Sequence, residues 1–159
     1  MSYEPRRGDY GVVKTNGIIG RLIRLGTTSR WNHAFIYMGD GMIVEANPTG
    51  VALSPASKYP KIAWNQHEDL SKSQREAIAV KALDQVGKAY DFIDILSLFL
   101  RIFGLKLPIY KLFKMLSKRQ SWFCSELVSA CYREADMKLL PHPDYLITPG
   151  DLAERLVYQ

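Results

Sequence analysis

At 159 residues the chain has room for one domain with a real core, and too little for two comfortable ones. Its composition, 47% hydrophobic and 23% charged, is that of a soluble globular protein. Lys and Arg number 21 against 16 Asp and Glu, a formal charge of +5 with a pI near 9.2. That balance permits an anionic partner such as a nucleic acid, an acidic lipid surface or a wall polymer, but requires none.

Residues 1–10 are polar and charged, so no secretory signal is expected, and with it a cytoplasmic location. Gly8-Asp9 leads into residues 10–14, where Val12 and Val13 predict a first strand. In residues 15–30, Ile18, Ile19, Leu22, Ile23 and Leu25 recur at helical spacing with Arg21, Arg24 and Arg30 between them. A short helix ending at Gly26 follows from this pattern, then a polar loop through Thr27, Thr28 and Ser29. Residues 33–38 predict a strand and residues 42–46 its partner across Gly39-Asp40-Gly41. If those three residues form the loop, Phe35 faces Glu45 and His33 faces Asn47, so all four share one sheet face, with Glu45 diagonal to His33. A loop of only Asp40-Gly41 slips the register by one and turns Glu45 to the other face. Residues 51–53 and 61–64 predict further strands of an antiparallel sheet.

Ser73-Gln74-Arg75-Glu76 has the pattern of a capping box, and Ala77, Ile78, Val80, Ala82, Leu83 and Val86 extend a helix stopped by Gly87. Residues 93–119 then mix apolar side chains with Arg101, Lys106, Lys111, Lys114, Lys118 and Arg119, and Asp94 is the one acid among them. Arg101 and Gly104 interrupt the apolar run well short of the roughly 18 residues of a membrane span. Two amphipathic helices broken near Leu107-Pro108 fit the pattern, lying on an anionic membrane, covering a site as a lid, or simply packing on the sheet. Beyond residue 121, Phe123, Leu127, Ala130 and Cys131 recur at helical spacing, with Ser121 as N-cap and Cys124 in the first turn. Pro141, Pro143 and Pro149 mark an extended loop, and residues 151–158 a last short helix.

Chemistry centres on the two cysteines and three histidines. Seven residues of helix separate Cys124 from Cys131 by roughly 10 Å, beyond disulfide reach, and neither has zinc-site spacing with a histidine. Both are expected to be free thiols, with no metal and no cofactor. At a helix N-terminus the unpaired N–H groups and positive dipole end favour a thiolate, and the same N–H groups suit an oxyanion. A cysteine there is either a nucleophile or a small buried hydrophobe. His67 lies among Gln66, Glu68 and Asp69 as in a solvated turn, and His142 sits between two prolines. His33 opens a strand, facing the interior, where Glu45 or Asn47 is placed to receive its second N–H.

These residues resemble the circularly permuted papain-like proteins of the NlpC superfamily, the YiiX-like and lecithin retinol acyltransferase-like group. The matching pieces are Gly8-Asp9, Asn32-His33-Ala34, Ile43-Val44-Glu45-Ala46, Gly87 with Tyr90-Asp91-Phe92, Phe123-Cys124-Ser125-Glu126-Leu127-Val128 and Thr148-Pro149-Gly150-Asp151-Leu152. They fall in the family's order over nearly the whole chain, with histidine preceding cysteine.

The resemblance implies an α+β fold, an antiparallel sheet or small barrel packed on helices. One permuted papain-like domain would span residues 1–159, with a basic apolar helical insertion or lid at about 93–119. It implies Cys124 as nucleophile, His33 as base and Glu45 as orienting residue, with Asn47 a rival for that role and Tyr10 a possible oxyanion donor. The activity implied is that of a cysteine peptidase, amidase or acyltransferase, with a cell-wall peptide amide or a lipid acyl group as substrate. The alternative is a non-catalytic membrane-surface or interaction module on the same fold, driven by residues 93–119 and the positive charge. Nucleic-acid binding rests on charge alone, with no Gly-rich phosphate loop or basic-aromatic motif, and is not expected. Oligomeric state has no signature in the sequence.

Overall fold

The computed structural model describes residues 3–17, 20–21, 24, 28–47, 49–66, 69–88, 124–141, 143–144 and 147–157. The expectations for the helix within 15–30, for His67, for Tyr90-Asp91-Phe92, for the segment 93–119, for the Ser121 cap and for His142 fall wholly or largely outside those residues. Among the described residues the elements run β1 (Tyr10–Val13), β2 (His33–Gly39), β3 (Met42–Asn47), β4 (Gly50–Pro55), a 3₁₀ turn (Ala56–Lys58), β5 (Ala63–Trp64), α1 (Lys72–Leu83), α2 (Cys124–Glu134) and α3 (Pro149–Val157). The fold is α+β, with one antiparallel sheet in the order β4-β3-β2-β1-β5.

Strand alternation divides the sheet into two faces. Tyr10, Val12, Ala34, Ile36, Val44 and Ala46 point toward the helices and join Ile78 and Ala82 of α1, Leu127, Val128 and Cys131 of α2 and Leu152 of α3 in the main core. Val13, Phe35 and Ile43 point the other way, into a smaller cluster with Tyr37, Tyr59, Ile62 and Trp64. Gly11 belongs to that second face, where a Cβ would come within 2.6 Å of the Phe35 ring and 2.9 Å of Trp64. Its missing side chain is what lets the aromatic layer lie flat across β1.

Both loop readings of the β2–β3 hairpin hold, at different heights. Along the body Phe35 pairs with Glu45 and Tyr37 with Ile43, whereas at the tip Gly39 pairs with Met42. A bulge between Tyr37 and Gly39 absorbs the one-residue difference. Gly39, Asp40 and Gly41 all take positive φ (92°, 51° and 72°), which tightens the turn. The bulge therefore keeps Glu45 on the face of Phe35.

The capping box lies two residues earlier than the sequence pattern suggests. Ser71 is the N-cap of α1; its hydroxyl accepts from Gln74 N–H while the Gln74 side chain accepts from Ser71 N–H. The last helix likewise starts at Pro149, where the Asp151 carboxylate accepts from Thr148 N–H and hydroxyl, both at 2.8 Å.

Gly8-Asp9 ties helix to sheet. The Asp9 carboxylate, fully buried, pairs with Arg75 of α1 at 2.7 Å and accepts from Arg6 N–H at 2.7 Å and Tyr3 hydroxyl at 2.6 Å. Gly8 takes φ +90° and passes so close to the Arg75 carbonyl that a Cβ would sit 2.9 Å from it. After α1, Val51 exchanges backbone hydrogen bonds with Gly87 and Lys88, so that part of the β4 edge is covered.

Candidate active site

His33 is the first residue of β2, and the residue before it fixes where that strand begins. The buried Asn32 side chain accepts from Thr15 N–H at 2.8 Å and donates to the Thr15 carbonyl at 3.0 Å, mimicking a strand partner. The His33 imidazole emerges beside Phe35, with 6.0 Å between ring centroids, and beside Tyr59, at 5.8 Å. Across the hairpin its Nε2 lies 2.8 Å from Glu45 Oε2.

Glu45 is wholly buried, so its charge survives only because donors surround it. Tyr59 hydroxyl donates to Oε2 at 2.7 Å and the Lys58 ammonium to Oε1, and Ser54 adds a further hydrogen bond. Burial opposes ionisation, but these bonds prevail and hold the carboxyl well below the usual carboxylate range. The Tyr59 ring stacks on Phe35 at 5.3 Å with only 8° between planes, which fixes the hydroxyl over Glu45. Burial, and then the bond to Glu45, push the Tyr59 phenol upward, so it stays a donor.

Cys124 opens α2 and is 4% exposed. The helix is held in place by Ser125 hydroxyl donating to the Ile147 carbonyl and Ser129 hydroxyl donating to Asp144 at 2.7 Å. The thiol is near enough to the His33 imidazole to influence its protonation. Since Nε2 is on Glu45, Nδ1 is the nitrogen left for sulfur. Burial alone would lower the imidazolium pKa, yet the bonds to Cys124 and Glu45 outweigh it and raise the value to about 9. The arrangement can keep a proton on His33 at neutral pH between sulfur and carboxylate.

Cys124, His33 and Glu45 thus converge from α2, β2 and β3, and two further expected residues do not join them. Asn47, at the end of β3, accepts from Thr49 hydroxyl at 3.3 Å, while the imidazole turns to Glu45. Tyr10 points to the helix side of the sheet, where its hydroxyl donates to the Leu152 carbonyl at 3.1 Å and its ring meets Tyr132 edge-on at 5.6 Å. That hydroxyl is committed to the core and is no oxyanion donor. Lys58 and Tyr59 went unforeseen, because they lie in a non-periodic stretch between two short strands. Cys131 is fully buried, and burial pushes its thiol up to about 12.

No protein-family model matches the sequence, and no curated protein does. Among solved structures, the crystal structure of metalloprotein yiiX from Escherichia coli O157:H7 is similar, with a TM-score of 0.61 and 22% identity over 86% of this chain and 70% of that one. The likeness establishes a YiiX-like α+β fold. No helix among the described residues is long and apolar enough to cross a membrane.

Proposed function

We propose that this protein is a cysteine-dependent hydrolase or acyltransferase of the permuted papain-like, NlpC-superfamily type, working through an acyl-thioenzyme. One observation carries the reading: the largely buried His33 imidazole lies 2.8 Å from a buried, ionised carboxylate and interacts with the thiol at the start of α2. In this account Cys124 Sγ adds to an amide or ester carbonyl while His33 holds the thiol proton. The tetrahedral oxyanion takes the N–H groups at the start of α2. Collapse breaks the C–N or C–O bond as His33 Nδ1 delivers its proton to the departing amine or alkoxide. Water or a second nucleophile then gives its proton to His33, attacks the thioester and releases Sγ. Wall-peptide amides and lipid acyl groups are both substrates of the right bond type.

The structural neighbour is described as a metalloprotein. Among the described residues here, no group of three or more His, Cys, Asp or Glu is arranged to hold a metal ion. Both Glu45 oxygens are also occupied, one by an ammonium that would repel a cation. The residues present do not fit a metal centre at this site.

A p-nitrophenyl acyl ester tests the chemistry without knowledge of the natural substrate. The expected result is a burst of about one equivalent of nitrophenolate and a hydroxylamine-labile acyl mass on the Cys124 peptide. Acylation elsewhere, or none at all, would contradict the proposal.

A further inference from the structure

The Glu45 carboxylate answers to two cationic partners. His33 takes Oε2 and the Lys58 ammonium takes Oε1, with Tyr59 hydroxyl also on Oε2. Orienting an imidazole requires one carboxylate oxygen and no second cation. We infer that Lys58 is a positioning residue that balances the charge of Glu45 so that His33 can give up its proton; the inference rests on the acyl-thioenzyme reading above.

Charge counting gives the reason. A Cys124 thiolate, a His33 imidazolium and a Glu45 carboxylate together carry one negative charge, and the Lys58 ammonium brings the cluster to neutrality. Once sulfur is tied up as a thioester and His33 has protonated the leaving group, Glu45 and Lys58 remain, again neutral. Without Lys58 the same step would strand a buried carboxylate among neutral donors, a costly state that His33 would avoid by holding its proton. Lys58 therefore weakens His33 as a base while Glu45 strengthens it. Among the described residues, the groups facing this cluster are Cys124 from α2, Ser54 from β4, and Lys58 and Tyr59 from the turn after it.

Lys58 is well suited to such adjustment. It ends a 3₁₀ turn with no buried residue, its side chain is 38% exposed, and its ammonium lies 5.1 Å from the centre of the Tyr59 ring. Substitution there removes the charge with little loss of packing.

The test is the titration of the His33 imidazole by proton NMR in a Cys124→Ser background, with Lys58→Met and Lys58→Arg compared against Lys58. Lys58→Met is expected to raise the His33 midpoint by about one pH unit, a tenfold change, and Lys58→Arg to leave it nearly unmoved. With Cys124 present, Lys58→Met should also move the onset of Cys124 alkylation to lower pH. A lysine that merely braced Glu45 would give the opposite sign, because a loosened carboxylate lets the imidazole fall toward its ordinary value. A His33 midpoint that stays put or falls in Lys58→Met overturns the inference. The NMR readout needs no turnover, so it separates the two claims. An inert Cys124 with a raised His33 midpoint sinks the enzyme reading alone, and an activated Cys124 with an unmoved midpoint sinks the role of Lys58 alone.

Discussion

Cys124→Ser is expected to lower turnover of an ester substrate by at least about a thousandfold while leaving the thermal midpoint within a few degrees of the parent. The size of the loss follows from the atom removed. An alcohol is far harder to ionise than a thiol, so the serine oxygen would stay protonated and weakly nucleophilic. Stability should change by no more than about 1 kcal/mol, since serine is nearly isosteric and the sulfur makes only a weak hydrogen bond. Steady-state rates and a thermal melt on the same sample check both halves. Turnover retained in a well-folded Cys124→Ser protein would remove the cysteine from the chemistry.

Glu45→Gln should cost about a hundredfold or more in turnover and on the order of 2 kcal/mol in stability, whereas Asn47→Ala should change turnover less than about threefold. A glutamine has one acceptor oxygen to offer. Its NH₂ must then face either the Lys58 ammonium or the donors on His33 and Tyr59, and one side of the network is left donor against donor. The stability loss also has a pH signature. Glu45 is ionised far below its ordinary value of 4.5, so its contribution is present above that pH and lost as the pH falls. His33 is raised to about 9 from 6.5, so its share is complete below 6.5 and lost as the pH climbs through 9. The gap between parent and Glu45→Gln should therefore be widest between pH 5 and 6.5, and denaturant unfolding across pH 4 to 10 measures it. The opposite ranking of Glu45→Gln and Asn47→Ala would reassign the orienting residue.

Much of the site was legible because strands repeat every two residues. That period alone puts His33 and Phe35 on one face, and Glu45 joins them in the register of a three-residue loop. The register was open between two loops, since Gly39-Asp40-Gly41 can supply either, and a bulge at the tip serves both. Ser71-x-x-Gln74 and Ser73-x-x-Glu76 both satisfy a capping-box pattern, and local sequence does not rank them; the first is the one used. Tyr10 failed as an oxyanion donor for a reason distant in sequence, the Leu152 carbonyl that takes its hydroxyl. Lys58 and Tyr59 had no periodic signal at all. They reach Glu45 because β4 pairs with β3 and delivers the 3₁₀ turn beside it, a tertiary fact no local pattern contains.

The most direct test of the central claim is the rate of iodoacetamide labelling at Cys124 from pH 4 to 9, with Cys131 as internal control. The expected result is fast labelling at Cys124 already near pH 6, a shift of its midpoint to higher pH in His33→Ala, and little labelling throughout at Cys131, whose buried thiol is pushed up to about 12. A Cys124 profile that rises only above about pH 8 and is unchanged in His33→Ala would contradict an activated cysteine.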